Sequence, residues 1–245
     1  MTRKSKFRAA GKNDVWFAGA CLIGLVVWGV AGQVKAQDAT GPRWSANVAA
    51  TSDYVFRGVS QTEEEAALSA GVDLTNGAFY AGAWASNVAF AGDEDTGIEA
   101  DIYAGVRPEF AGFALDFGVV GYLYDEPEAL DYDYVEFKAA ASRAIGPATL
   151  GAAVYYSPDF FGAAEDEATY IEANAYFAPA ERWTVSGAVG RQFVSSAFDY
   201  TTWNLGAAYA LTDNLAVDLR YHDTDEHDFG QVYESRAVAT LKATF

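Results

Sequence analysis

Alternation of apolar and polar residues is the feature of this sequence that most limits how it can fold. From Ile98 to Arg107 every even position is apolar, while the odd positions include Glu99, Asp101 and Tyr103. Successive side chains of a strand point to opposite faces, so one face of this segment is apolar and the other carries charge. One copy of the pattern would also suit a strand of a soluble sheet, so the fold depends on how often the pattern recurs.

The same pattern recurs along the chain, separated by turn residues such as Asn76-Gly77. We predict twelve strands, at 44–57, 68–75, 79–88, 98–107, 113–119, 134–142, 150–156, 171–177, 183–189, 203–211, 215–222 and 233–245. An even number of half-apolar strands predicts an all-β protein, a transmembrane antiparallel up-and-down β-barrel. Its apolar face would contact lipid and its charged face would line a wet lumen.

The N-terminus predicts export. A basic segment with Arg3, Lys4 and Lys6 precedes an apolar run from Val15 to Gly32, and small residues follow up to Ala36. We predict a cleaved signal peptide at 1–36, read by the general secretory route, and an outer-membrane barrel at 37–245. The alternative is an uncleaved membrane anchor, since the run lies near the lower length limit for a spanning helix.

Removing residues 1–36 makes the chain strongly acidic. It takes six of the 16 basic residues and one of the 34 acidic ones, leaving ten against 33. It also removes Cys21, the single cysteine, so the exported chain could form no disulfide in an oxidising compartment. A balance this acidic argues against nucleic acid as a partner.

The connections between the predicted strands are alternately short and long. The long set, at 57–65, 90–97, 125–133, 158–167, 194–200 and 223–232, holds twenty acidic residues and one basic residue. Long loops of such barrels face outside and short turns face the periplasm, so both termini of the barrel chain would lie on the periplasmic side. Aromatic residues near both strand ends, such as Trp44 and Trp203, would mark the membrane interfaces. The terminal Phe245 is similar to the signal that barrel-assembly machinery reads during insertion.

The stretch Ser52-Asp53-Tyr54-Val55-Phe56-Arg57-Gly58-Val59-Ser60-Gln61-Thr62 resembles the opening signature of the TorF porin family of proteobacteria, and the resemblance extends to the last strand. It implies an outer-membrane barrel with a porin role and brings no catalytic residues. On the strand pattern, Tyr54 and Phe56 would face lipid while Asp53 and Arg57 face the lumen. Each of these charges would need a partner on a neighbouring strand, and Asp73 and Arg236 are the candidates.

Charged residues on the lumen face form the predicted functional site. The alternation assigns fourteen of them as candidate pore-lining residues: Asp53, Arg57, Asp73, Glu99, Asp101, Arg107, Asp116, Glu136, Lys138, Glu172, Asp218, Arg220, Arg236 and Lys242. Both signs occur, so part of this set could instead form cross-strand ion pairs that stiffen the wall. No loop looks long enough to fill the lumen, which should therefore admit ions and small solutes.

Two further interpretations of the acidic loops stay open. Carboxylates at Asp93-Glu94-Asp95, Glu165-Asp166-Glu167 and Asp223 to Asp228 could bind calcium, or form a solvated rim near lipopolysaccharide. The pairs Asp93/Asp95 and Asp225/His227 also match the short patterns of omptin proteases. No nucleotide loop, phospholipase site or cysteine metal site is evident, so we expect neither an enzyme nor a cofactor.

Together these features predict an outer-membrane porin-like channel for passive diffusion of ions and small solutes. The acidic rim predicts a preference for cations. The alternative is a closed outer-membrane barrel that acts as a surface binding or structural protein. The expected partners are outer-membrane lipid and lipopolysaccharide, the barrel-assembly machinery, and the ions and solutes themselves.

Overall fold

A computed structural model describes residues 41–93, 95–125, 130–162 and 166–245. The predicted signal peptide, residues 1–36, lies outside them. The described residues contain twelve long strands, in this order: β1 Arg43–Thr51, β2 Ala67–Asn76, β3 Phe79–Asn87, β4 Ile98–Val106, β5 Phe113–Tyr124, β6 Tyr134–Ile145, β7 Ala148–Phe160, β8 Asp166–Ala180, β9 Trp183–Phe193, β10 Tyr200–Ala210, β11 Leu215–Thr224 and β12 Arg236–Thr244.

These strands close into a single barrel. Each pairs antiparallel with the strand before and after it, including β4 with β5, and β1 pairs with β12 in a register that sets Asn47 opposite Thr244. Closure leaves no unpaired sheet edge, which is the condition for crossing a membrane with strands. The predicted all-β fold, its up-and-down order and its twelve strands are confirmed.

The two faces of the wall differ as the alternation predicts. On β4, Ile102 is 62% exposed, whereas its neighbours Asp101 and Tyr103 are 0% and 2% exposed. Leu205 and Leu219 on the opposite side of the barrel are likewise exposed by more than half. The outer surface is therefore an apolar belt, and the polar side chains point inward. No helix among the described residues is long and apolar enough to cross a membrane.

One end of the barrel carries short turns and the other carries long loops. The short turns include the two residues between β2 and β3, and both Arg43 and Phe245 lie at this end. The long loops include 52–66, which follows β1, and 225–235, which contains two short 3-10 helices at His227–Phe229 and Gln231–Tyr233. We call the half of the barrel near the long loops the outer half.

Strand boundaries differ from the prediction at several strands, and the following differences bear on the long loops. β1 ends at Thr51 instead of continuing through Arg57, and β12 starts at Arg236 because residues 231–233 form a 3-10 turn. β7 runs to Phe160 and β8 begins at Asp166, so these two strands extend into the predicted loop 158–167. Backbone pairing continues there past the apolar pattern, since Phe160 still pairs with Asp166.

Candidate functional site

The charged residues that the sequence assigns to the lumen lie on or inside the inner wall. Eleven of the fourteen are on barrel strands, and a twelfth, Arg107, follows β4 directly. Asp53 and Arg57 instead belong to the loop after β1. The eleven on strands are Asp73, Glu99, Asp101, Asp116, Glu136, Lys138, Glu172, Asp218, Arg220, Arg236 and Lys242. Whether they line a conducting pore stays a prediction.

Part of this set forms ion pairs across neighbouring strands. Asp116 accepts from Lys138 at 3.0 Å and from Arg107 at 3.2 Å, while Arg220 contacts Asp218 of its own strand, β11, at 3.3 Å. Such pairs satisfy charges that would be costly to leave alone in a narrow interior. They also fix long side chains against the wall, so these five residues leave the inner surface nearly neutral where they lie.

The segment 53–62, which we call the plug hairpin, turns into the barrel. Val55–Phe56 pairs with Val59–Ser60, and the turn between them has positive φ at Arg57 (48°) and Gly58 (87°). Two predictions are therefore wrong: Tyr54 and Phe56 do not face lipid, and the lumen is not free of a plug. A two-residue turn ending in glycine between β-forming residues is the sequence signal for such a hairpin.

The base of the plug hairpin is fixed to the barrel wall. Asp53 pairs with Arg236 of β12 at 3.0 Å, which is one of the two partners the sequence suggests. The Ser60 hydroxyl donates to the same carboxylate at 2.7 Å, and the Tyr54 hydroxyl donates to Glu99 of β4 at 2.8 Å. The bonds of Asp53 and Tyr54 fix the start of the hairpin to the inner wall near its outer end, and the Ser60 bond ties the second strand of the hairpin to that start.

The tip of the plug hairpin reaches the opposite wall. Arg57 donates two parallel hydrogen bonds of 2.8 Å to Glu136 and a third of 3.0 Å to Gln192. The suggested pairing of Arg57 with Asp73 is therefore wrong, because the tip lies across the barrel from its own strand. Gly58 packs against the Thr202 and Thr224 side chains so closely that a Cβ atom would lie 2.8 Å from the Thr224 methyl group.

Aromatic side chains fill the space around the plug hairpin. Tyr54 meets Trp84 edge-on at 5.4 Å between ring centroids, and Phe56 meets Tyr122 at 6.0 Å. Tyr122 in turn stacks on Tyr134 at 4.3 Å. A second group, Phe90, Tyr124, Tyr132 and Phe161, packs at the outer rim. The outer half is therefore occupied by side chains of its own chain.

Three inner carboxylates have no cation within ion-pair distance in the described part of the chain. Glu99 accepts from two tyrosine hydroxyls, and Glu172 accepts from Tyr170 at 3.2 Å and Asn174 at 2.9 Å. Asp101 is completely buried, and neither of its carboxylate oxygens has a hydrogen-bond partner. An ionised carboxylate without a cation partner is costly in such an interior, so these positions favour an incoming cation, a proton or water.

Within their described residues, the acidic loops contain local hydrogen-bonded pairs and no side-chain cluster for a metal. Among the described residues no group of three histidine, cysteine or carboxylate side chains could hold a metal ion. Asp93 accepts from backbone N–H groups of its own loop, and His227 Nε2 lies 2.8 Å from Asp223 Oδ1. This hydrogen bond raises the pKa of His227 above its ordinary value. Glu94 and Glu165 of the calcium interpretation lie outside the described residues.

Comparisons with known proteins support the barrel. A family profile described as "Bacterial protein of unknown function (Gcw_chp)" matches residues 35–245; the TorF name is not confirmed. No curated protein sequence matches the chain. The solved KdgM porin has a TM-score of 0.59 at 8% identity, covering 82% of this chain and 99% of its own. The NanC porin has 0.52 at 8% identity, covering 82% and 98%. A structure titled "KdgM porin in complex with disordered oligogalacturonate" has 0.58 at 7% identity, covering 82% and 99%. At such identities the likeness shows the fold alone.

Proposed function

We propose that this chain, which belongs to the Gcw_chp family of bacterial proteins of unknown function, is a porin-like channel of the outer membrane. The observation that carries the proposal is a polar, charged interior enclosed by a closed apolar belt. A protein that only needed a stable barrel could fill its interior with apolar side chains. Charged groups inside a barrel instead require water or partners, and a wet interior is the path that ions and small solutes use.

The channel is closed at its outer half by the plug hairpin. Because the hairpin and its surrounding rings occupy that part of the interior, solutes pass only when the hairpin leaves its place. Polar contacts of Asp53, Tyr54 and Arg57 hold the hairpin, together with the aromatic contacts of Tyr54 and Phe56. The polar contacts can be exchanged for contacts with water, and none of these contacts is part of the strand pairing that closes the barrel.

We further propose that the channel prefers cations. The predicted lumen set contains eight carboxylates and six basic residues, and the carboxylates of Glu99, Asp101 and Glu172 lack a cation partner among the described residues. The long loops add an acidic rim. KdgM has been solved with an oligogalacturonate, which is an acidic sugar; the excess of carboxylates here favours solutes of the opposite charge.

Recording across planar lipid bilayers tests the proposal. In asymmetric KCl the reversal potential should have the sign of a cation-selective pore. The screening length shortens from about 10 Å at 0.1 M salt to about 3 Å at 1 M. The cation selectivity due to the rim should therefore fade as the salt concentration rises, while the selectivity due to the wall persists. Changing Asp101→Asn and Glu172→Gln together should reduce the selectivity that persists in 1 M salt, and the matched rim variant Asp131→Asn with Asp133→Asn should not.

A closed barrel with a structural or binding role is the second candidate, and the docked plug hairpin favours it. The two functions differ in one measurement. Deleting residues 53–62 should give a steadily conducting barrel if the protein is a channel closed by this hairpin. Anion preference would contradict the selectivity proposal. Absence of current from both the wild type and the deletion variant, with the barrel folded and inserted, would reject the channel and leave the closed barrel.

A further inference from the structure

The inner wall contains a preformed site around the guanidinium group of Arg57. Glu136 accepts two parallel hydrogen bonds of 2.8 Å from this group, and Gln192 Oε1 accepts a third at 3.0 Å. The guanidinium carbon lies 4.4 Å from the ring centroid of Tyr170 and 5.0 Å from that of Tyr155. The group is therefore held in its plane by a carboxylate and an amide, and covered by aromatic rings.

None of these four wall residues belongs to the plug hairpin. Glu136, Tyr155, Tyr170 and Gln192 come from β6, β7, β8 and β9, which are four consecutive strands of the barrel. Their positions are fixed by strand register, for example Tyr155 opposite Tyr170. The site therefore remains as part of the wall when the hairpin leaves.

Neighbouring residues hold the wall site in shape. The Tyr122 hydroxyl donates to Glu136 Oε2 at 3.0 Å, which orients the carboxylate. Gly190 lies beneath the Tyr170 ring, and a Cβ atom there would meet Tyr170 Cε2 at 2.7 Å. The absence of a side chain at Gly190 lets the tyrosine lie against the wall with its face toward the guanidinium.

The chemistry of the site is selective for a planar cation. A guanidinium presents a rigid fork of N–H donors that matches a carboxylate in two parallel bonds, and it stacks on aromatic faces. An ammonium group is compact and more strongly hydrated, so it matches neither feature. Glu136 is 1% exposed, and a buried carboxylate that loses its only cation is strongly destabilised. When Arg57 withdraws, the Glu136 carboxylate therefore favours binding of another cation.

One unused donor shows that the site can accept more than the Arg57 side chain. The Nε2 of Gln192 is buried and has no hydrogen-bond acceptor among the described residues. Its orientation is determined, because the other end of the same amide accepts from Arg57. A solute with an oxygen acceptor near its guanidinium could use this donor.

We propose that this wall site binds guanidinium-bearing cationic solutes and that Arg57 occupies it in their place when the plug hairpin is docked. The inference deepens the proposed function, on which its transport part rests, by naming the class of solute. Solute and hairpin compete for Glu136, so a guanidinium compound favours the withdrawn hairpin.

Binding is tested without reference to conduction. Refolded Arg57→Ala protein in detergent micelles is titrated with methylguanidinium, with methylammonium as the matched control cation, and its thermal unfolding is followed. Methylguanidinium should raise the unfolding temperature with saturation, at a roughly tenfold lower concentration than methylammonium, since two charge-assisted bonds are restored. The double variant Arg57→Ala with Glu136→Gln should lose this response. Equal responses to both cations, or an unchanged response in the double variant, would overturn the site.

Transport is tested separately in bilayers. Methylguanidinium should reduce the K⁺ current through the Arg57→Ala channel by occupying the site, and methylammonium at the same concentration should not. If Arg57→Ala does not insert, the wild type is used, and methylguanidinium should then increase its open time by displacing Arg57. A conducting channel that treats both cations alike would overturn the assignment of solute class. Absence of current would reject the proposed channel, while the unfolding titration would still decide whether the site exists.

Discussion

Gly58→Ala should release the plug hairpin from the wall without altering the barrel strands. Gly58 has φ of +87°, and an added Cβ would collide with the Thr202 hydroxyl and lie 2.8 Å from Thr224 Cγ2. The left-handed backbone costs an alanine about 1–2 kcal/mol, and overpacking against two wall side chains adds about 1–3 kcal/mol. Since both costs apply to the docked position, docking should weaken by about 2–5 kcal/mol.

This range converts to a measurable change in channel opening. At about 1.4 kcal/mol per factor of ten, the ratio of withdrawn to docked hairpin should rise roughly 30-fold to 4,000-fold. Single-channel recording gives this ratio as the ratio of open to closed time. Gly92→Ala is the matched control, because Gly92 has a nearly equal φ of +84° and no atom within 4 Å of an added Cβ. It should therefore leave the opening ratio unchanged.

The outcome that refutes the reasoning is an opening ratio of Gly58→Ala equal to that of the wild type. Folding must be verified in the same preparation by the mobility shift that closed barrels show on heating in gels. If the barrel is folded and the ratio is unchanged, then the plug hairpin does not control passage. A change of equal size in Gly92→Ala would assign the effect to general loop strain instead of contact with the wall.

Three further predictions follow from the ends of the barrel. A cysteine at Asp131 should react with an impermeant reagent on intact cells and one at Asp213 should not, whereas the reverse would invert the membrane orientation. Phe245→Ala should reduce accumulation in the outer membrane, because the terminal aromatic residue resembles an insertion signal; normal accumulation would contradict this. The ring of His227 should titrate above the ordinary value of about 6.5, since Asp223 stabilises its charged form, and Asp223→Asn should lower the midpoint. The stabilising contact is complete below the unfolded pKa and is lost as the pH rises through the raised folded pKa; an NMR midpoint at or below 6.5 in the wild type would contradict it.

The barrel itself was predictable because lipid imposes the pattern. A wall with lipid on one side favours apolar residues at alternate positions, so the sequence of each strand by itself indicates a lipid-facing side. Ile102 faces outward and Asp101 inward for this reason. The pairing of Asp53 with Arg236 was also within reach, because antiparallel neighbours in a closed barrel include the first and last strands.

The plug hairpin was not predicted because its residues repeat the same alternation for another reason. Tyr54 and Phe56 are aromatic, as lipid-facing residues would be, yet they pack against Trp84 and Tyr122 inside the barrel. In a filled interior, apolar side chains bury their surface against each other, as they would against lipid outside. The partner of Arg57 was beyond reach, since Glu136 lies 79 residues away on a strand that is not a neighbour.

The ion pair between Asp53 and Arg236 links the plug hairpin to the closure of the barrel. The two residues are 183 positions apart, and the pair forms only when β1 and β12 have met at the seam. A contact between residues this far apart along the chain carries a loop-closure cost in entropy. Because the plug hairpin follows β1 directly, it must be enclosed as the seam closes or enter a barrel that is already complete. The salt bridge is therefore present only in a closed barrel with its hairpin inside, and a chain that closes without the hairpin would leave Arg236 without its Asp53 partner.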